Sequence, residues 1–122
     1  MKYIMITGAS SGIGEETARF LARQEDVTTI LVARNEEKLK KLVNEFGGET
    51  KYLIYDLTDV EHIESCFIKC REWGIKLDGL IHCAGIGENM PIRLIQTEHI
   101  KKMYQIHPMA FIELGKYFSK RK

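Results

Sequence analysis

Short apolar runs alternate along the chain with stretches whose apolar positions recur at helical spacing. The runs that predict strands are residues 2–6, 28–33, 50–55 and 77–83. The second run is β-branched and nearly all apolar, which is typical of a strand covered on both faces. The helical stretches are residues 12–24, 35–47, 58–73 and a last one that begins at Thr97. Four strand–helix units in succession predict an α/β fold with a parallel sheet.

The polar residues at the ends of these stretches predict where the helices begin. Asn35 is a favourable N-cap, residues 58–61 read as a capping box, and Thr97 is expected to cap the last helix. Pro108 lies inside the last helix and predicts a kink. The expected inner faces are Ile13, Ala18, Leu21 and Ala22; Leu39, Leu42, Val43 and Phe46; Val60, Ile63, Phe67 and Cys70; and Ile100, Met103, Tyr104, His107, Ala110, Phe111, Leu114 and Tyr117.

A glycine-rich stretch separates the first strand from the first helix. Residues 7–14 read Thr-Gly-Ala-Ser-Ser-Gly-Ile-Gly. Glycine lets the backbone approach a phosphate closely, and the N–H groups and dipole of a helix N-terminus favour an anion. An ordinary turn is the alternative interpretation. The expected Rossmann-like, doubly wound sheet has strand order 3-2-1-4, with the ligand crevice between strands one and four.

The composition restricts the possible classes of protein but does not indicate a function. The chain has 122 residues, is 44% hydrophobic and carries a net charge of +1, so we expect one globular domain over residues 1–122. The balanced charge favours neither nucleic acid nor a membrane surface, and no apolar run is long enough for a membrane span. An N-terminus that enters a strand at once and three unpatterned cysteines indicate a cytoplasmic protein with reduced thiols.

Four segments carry a resemblance to a known family. Residues 7–14 match the Thr-Gly-x3-Gly-x-Gly loop of short-chain dehydrogenases/reductases, and residues 32–35 resemble the end of that family's second strand. Asp56 and Leu57 are similar to its pair after strand three. Residues 82–85, His-Cys-Ala-Gly, look like its Asn-Asn-Ala-Gly motif with both asparagines replaced. The chain therefore resembles the N-terminal half of that family.

The resemblance implies a dinucleotide site. Arg34 stands where the family reads the ribose, and its planar guanidinium implies that NADP(H) is favoured over NAD(H). The alternatives are that Arg34 is merely solvated and that Asp56 caps a turn instead of contacting adenine. The implied cofactor-binding residues are Gly8, Ser10, Ser11, Gly12, Ile13, Gly14, Arg34, Asn35, Asp56, Leu57, Cys83, Ala84 and Gly85.

The histidines and cysteines have less specific interpretations. His82 and His107 occupy positions where the family has asparagine. For both, a histidine satisfied by neighbouring groups is favoured over a proton relay. His62, Cys66 and Cys70 are spaced along one helical line, and core packing is favoured over a metal site.

The family's catalytic Ser and Tyr-x-x-x-Lys have no counterpart in these 122 residues. Tyr117 is followed four residues later by Arg121, inside the last predicted helix. We therefore expect a truncated, NADP(H)-binding portion of an oxidoreductase, with no catalytic residues of its own. The alternatives are a non-catalytic nucleotide-binding or interaction module and a fragment of a longer enzyme. An uncovered edge of strand four, or the last helix, is expected to cause self-association.

Overall fold

The computed structural model describes residues 1–84 and 91–120. The strands are β1 (Lys2–Thr7), β2 (Val27–Ala33), β3 (Lys51–Ile54) and β4 (Gly79–His82). The α-helices are α1 (Gly12–Ala22), α2 (Glu36–Phe46), α3 (Glu64–Glu72), α4 (Thr97–Tyr104) and α5 (Ala110–Ser119). Two short 3-10 turns, Val60–His62 and Ile92–Leu94, precede α3 and α4, and a π-helical turn, Gln105–Met109, joins α4 to α5.

The four strands form one parallel sheet in the order β3-β2-β1-β4, which confirms the predicted fold class and strand order. Neighbouring residues on a strand point to opposite faces, so the sheet has two cores. Met5 belongs to the core on the side of α3 and α5, and Ile6 belongs to the core on the side of α1 and α2. The carboxyl ends of β1 and β4 lie side by side, with Thr7 opposite His82.

Helix α1 contacts the sheet through its smallest residues. Gly14 and Ala18 are buried, whereas Ile13 is 80% exposed, so the assignment of Ile13 to the inner face is wrong. A turn this close to the sheet leaves no room for a branched side chain beneath the start of the helix. Leu39 and Leu42 are buried on α2 as predicted, and Asn35 caps that helix by accepting a hydrogen bond from the Lys38 N–H.

The predicted capping box at residues 58–61 is wrong. The Asp56 carboxylate accepts hydrogen bonds from both the N–H and the hydroxyl of Thr58, which therefore does not cap a helix. The Asp59 carboxylate bonds the His62 ring instead. The chain makes a 3-10 turn there, and α3 begins only at Glu64. The predicted inner face of this helix is otherwise right, since Ile63, Phe67 and Cys70 are buried.

The last predicted helix is divided at Pro108. Its N-cap is Gln96 rather than Thr97, and the Gln96 N–H donates to the His99 ring. Proline has no N–H and its ring excludes the carbonyl one turn back, and the wider π-helical turn accommodates both effects.

The apolar stripe of this last helical stretch is wider than its contact with the sheet. Ile106, Ala110 and Leu114 are buried. Five members of the predicted inner face are instead exposed, namely Ile100, Met103, Tyr104, His107 and Phe111.

A hydrogen-bonded network joins the ends of β1 and β4 to the π-helical turn. His82 Nε2 lies 2.9 Å from the Ile106 carbonyl, which can only accept, so Nε2 carries the proton. Nδ1 then accepts from the Thr7 hydroxyl at 2.7 Å. The Thr7 oxygen in turn accepts from the backbone N–H groups of Cys83 and Ala84, at 3.1 and 3.2 Å. His82 is therefore a satisfied structural histidine, as favoured from the sequence.

This network predicts a pH-dependent stability. Burial lowers the pKa of His82. Protonation of Nδ1 would also remove the acceptor to which the Thr7 hydroxyl donates its hydrogen bond. Unfolded His82 takes up a proton near pH 6.5, whereas folded His82 does so at a lower pH. The stabilising contribution of His82 is complete above about pH 6.5 and is lost as the pH falls through the folded pKa.

The measurement is urea unfolding of the wild type and His82→Gln between about pH 7 and pH 5. The wild type should lose more unfolding free energy over this range than the variant does. His62→Gln is the control, because the exposed His62 has its pKa raised by Asp59 and shifts stability in the opposite direction. Parallel pH profiles for the wild type and His82→Gln would contradict the prediction.

Candidate functional site

The glycine-rich turn brings three chain segments into close contact. Gly8 has a φ of +66° and Gly12 a φ of +56°, conformations that favour glycine. A Cβ on Gly8 would lie 2.6 Å from the Ala84 backbone, and a Cβ on Gly14 would lie 2.0 Å from the Gly8 carbonyl oxygen. Gly8 and Gly14 therefore let the turn, α1 and the end of β4 pack together.

Gly12 lies on the open side of the same turn. A Cβ there would meet no atom of the described residues within 4 Å. The first N–H groups of an α-helix have no partner within the helix, and among the described residues the side chain of the N-cap, Ser11, does not bond them. The N-terminus of α1 therefore presents backbone donors and a positive dipole end on a side that the described residues leave open, an arrangement that fits a phosphate.

A cleft lies at the carboxyl ends of the strands. The position expected for the ligand crevice, between strands one and four, covers only part of it, because residues that follow β2 and β3 also line the cleft. Its lining residues are Gly8, Ser10, Ser11, Val32, Ala33, Arg34, Tyr55, Leu57, Cys83, Ala84 and Ile106. Seven of the residues implied by the resemblance are thus brought together around one opening. Gly85 lies outside the described residues. Tyr55 and Ile106 were not predicted, because their place at the cleft depends on how β3 and the π-helical turn pack.

A second pocket adjoins this cleft at the start of α2. It is lined by Ser10, Ser11, Arg34, Asn35 and Lys38. Arg34 and Asn35 are both exposed, so the guanidinium is accessible to a ligand in this pocket. Two hydroxyls, an amide and two cationic side chains form a donor set suited to a phosphate ester. Lys38 was not predicted, because only the capped first turn of α2 directs it to this side.

Asp56 and Leu57 have separate structural roles beside the cleft. Partial burial disfavours the ionised form of Asp56, but the hydrogen bonds from Thr58, together with the charges of Arg34 and Lys102, lower its pKa overall. The structure thus shows the turn-capping role, and the adenine contact stays a prediction. Leu57 is 3% exposed and belongs to the core while also lining the cleft.

The other candidate residues lie away from the cleft. His107 is exposed and lines a separate apolar groove with residues of α4 and the preceding 3-10 turn. Cys66 and Cys70 are buried, and burial raises their thiol pKa values to about 12 and about 11. Both cysteines belong to the hydrophobic core. Residues 1–84 and 91–120 contain no cluster of metal-ligating side chains. In the same part of the chain, no helix has the length and hydropathy of a bilayer-crossing segment.

Comparison with known proteins identifies relatives over nearly the whole chain. A family model described as short chain dehydrogenase matches residues 2–121. An uncharacterised oxidoreductase of Listeria innocua is 36% identical over 110 residues, covering 87% of this chain and 44% of the relative. A benzil reductase of Saccharomyces cerevisiae that forms (S)-benzoin is 34% identical over 119 residues, covering 93% of this chain and 44% of the relative.

Solved structures of similar fold also align with nearly the whole chain. An alcohol dehydrogenase from the archaeon Thermococcus sibiricus, complexed with 5-hydroxy-NADP, superposes with a TM-score of 0.88 at 31% identity, covering 99% of this chain and 53% of that one. The chain spans about half the length of the curated relatives it matches. The family match, the sheet order and the glycine turn agree, and the chain belongs to the short-chain dehydrogenase family.

Proposed function

We propose that residues 1–122 act as a single NADP(H)-binding domain, the cofactor-binding portion of a short-chain dehydrogenase/reductase-type oxidoreductase. The observation that carries this proposal is the glycine turn at the end of β1, which opens α1 towards a cleft that also contains Arg34. When bound, the nicotinamide would supply hydride transfer to or from a carbonyl or alcohol group. A cytoplasmic location is part of the proposal and is supported by three free cysteines.

Each part of the cofactor has candidate residues in this chain. The N–H groups at the start of α1, with Ser10 and Ser11, would hold the phosphates that link the two nucleosides. Arg34 and Asn35 would hold the adenosine ribose and its 2′-phosphate. The implied adenine residues are Asp56 and Leu57. Cys83, Ala84 and Gly85 are the implied residues beside the nicotinamide ribose.

The preference for NADP(H) depends on Arg34. Structurally similar proteins include an L-sorbose reductase from Gluconobacter frateurii complexed with NADPH and a 4-hydroxyisoleucine dehydrogenase complexed with NADH. Similarity to this family therefore does not distinguish NADP(H) from NAD(H) as the cofactor. The exposed guanidinium at the end of β2, in a pocket of hydroxyl and amide groups, favours the additional phosphate.

The first functional prediction concerns Arg34→Asp. A charge-assisted hydrogen bond contributes about 1.5–3 kcal/mol, so the wild type should bind NADPH about 10- to 100-fold more tightly than NADH. The variant should reverse this order, because its carboxylate repels the 2′-phosphate. Calorimetric titration with both cofactors measures the two affinities. Arg23→Asp makes the same charge change at the far end of α1 and should keep the wild-type order. Equal wild-type affinities would contradict the assignment of Arg34.

We further propose that the acid–base residues of the reaction lie outside these 122 residues. General acid–base catalysis requires a tuned group within hydrogen-bond reach of the substrate oxygen. The sequence contains no Tyr-x-x-x-Lys, both nitrogens of His82 are engaged in the network, and His107 is exposed outside the cleft.

The corresponding prediction is that the 122-residue chain binds NADPH without oxidising it at a useful rate. The measurement is NADPH absorbance over time with a panel of aldehydes, ketones and quinones. The loss of acid–base assistance alone corresponds to about 10²- to 10⁴-fold in rate. Turnover that His107→Ala abolishes would contradict the prediction and assign the chemistry to this chain.

A role in association is also part of the proposal, and specific surface features favour it. Within residues 1–84 and 91–120, β4 pairs with β1 alone. The neighbouring helical stretch exposes Ile100, Met103, Tyr104 and Phe111. An open strand edge beside an apolar surface favours pairing with a second copy of this chain.

Sedimentation of the wild type should therefore show concentration-dependent association that Tyr104→Lys weakens, because a charged side chain replaces an exposed apolar one. Phe20→Lys is the matched control, since Phe20 and Tyr104 are each 61% exposed and Phe20 lies on α1. A wild type that stays monomeric at every concentration, or a Phe20→Lys effect as large as that of Tyr104→Lys, would contradict this assignment.

A further inference from the structure

Lys38 occupies an unusual electrostatic position at the edge of the site. It lies in the first turn of α2 and lines the second pocket with Ser10, Ser11, Arg34 and Asn35. Its Nζ lies 3.0 Å from an oxygen of Glu15, which belongs to the first turn of α1. The cation beside the pocket is therefore shared with an anion from the helix that presents the phosphate-binding turn.

Glu15 does not depend on Lys38 alone. Its second carboxylate oxygen lies 3.1 Å from the Arg19 guanidinium, and Arg19 also pairs with Glu45 at 2.9 Å. The Glu15 side chain is 17% exposed, whereas that of Lys38 is 41% exposed. The ion pair with Lys38 has the larger effect and that with Arg19 the next largest, and both lower the pKa of Glu15. Glu15 is therefore ionised at neutral pH.

The two ends of this ion pair differ in their freedom to change partner. If Lys38 turns towards the pocket, Glu15 keeps its bond to Arg19 and is not left unpaired. The Lys38 ammonium has three donor hydrogens on a flexible four-carbon stem, so it can serve Glu15 and a second anion from the same backbone position. A phosphate monoester beside Arg34 carries more negative charge than a single carboxylate and competes well for that cation.

We propose that Lys38 is a second cation for the ribose 2′-phosphate and that Glu15, acting through Lys38, sets how strongly the site distinguishes the phosphorylated nucleotide. This inference rests on the proposed function and names two residues that the family resemblance did not imply. Lys38 is a binding residue, since it touches the ligand. Glu15 is a positioning residue that draws Lys38 away from the phosphate through their ion pair and so limits the preference.

The test compares two probes that differ only in the 2′-phosphate, adenosine 2′,5′-bisphosphate and adenosine 5′-monophosphate, titrated by calorimetry into the 122-residue chain. Lys38→Gln should lower the preference for the bisphosphate by about 3- to 10-fold, and Lys38→Arg should retain it. Glu15→Gln should raise the preference by a similar factor, because it frees Lys38 and removes a nearby negative charge. Thermal melting without ligand checks that each variant is folded.

Two matched controls separate local from general charge effects. Lys40→Gln removes the same charge from the same helix, but Lys40 pairs with Glu36 and is not part of the pocket. Glu16→Gln removes the neighbouring carboxylate, which pairs with Arg19 and not with Lys38. Both should leave the preference unchanged.

The outcomes distinguish the inference from the proposed function. If neither probe nor NADPH binds the wild type, the proposed function fails and the inference fails with it. If the wild type prefers the bisphosphate and Arg34→Asp abolishes this preference, but Lys38→Gln leaves it intact, the proposed function stands and the role of Lys38 is wrong. If Glu15→Gln lowers or does not change the preference in a folded variant, the positioning role of Glu15 is wrong.

Discussion

The approach of the glycine turn to the end of β4 is the constraint on which the rest of the structure depends. Thr7, fully buried at the end of β1, binds two backbone N–H groups after β4 and the ring of His82 with a single hydroxyl. His82 carries the connection onward to the Ile106 carbonyl. The first strand, the fourth strand and the last helical stretch are therefore positioned by one set of neutral hydrogen bonds. Cys83, Ala84 and Ile106, which take part in this set, also line the cleft.

The substitution of histidine for the family's asparagine keeps this junction polar. The ring spans a longer distance than an amide would, reaching from the Thr7 hydroxyl to a helix carbonyl, and it stacks on Phe111 with ring centroids 5.9 Å apart. Protein interiors tolerate polar groups where each donor and acceptor is matched. At this position the hydrogen-bond partners match only the neutral imidazole. An asparagine side chain has no titratable group, so the histidine introduces a sensitivity to pH at this family position.

The sequence predicted the architecture because the strands, the glycine turn and the cap at Asn35 are encoded locally. Its errors arose where two local signals competed. Thr58 had the right spacing for a capping box, but its N–H donates a hydrogen bond to the Asp56 carboxylate two residues earlier. Ile13 had the right spacing for an inner face, but the close approach of the turn places glycine and alanine there. The pairing of Glu15 with Lys38 joins two helices that pack on the same face of the sheet, so no local pattern could have indicated it.

The position of β1 in the middle of the sheet has a consequence for the order of folding. Thr7 pairs with Val32 within the first third of the chain, but with His82 only 75 residues later. A loop about three times longer raises the free energy of loop closure by only about 1 kcal/mol. The pairing of β1 with β4 is therefore delayed mainly by the time needed to synthesise the intervening chain and to bring the strands together. During translation the β1–β2–β3 part can assemble while the fourth strand is still emerging. The cleft at the carboxyl ends of the strands is then the last part of the sheet to form.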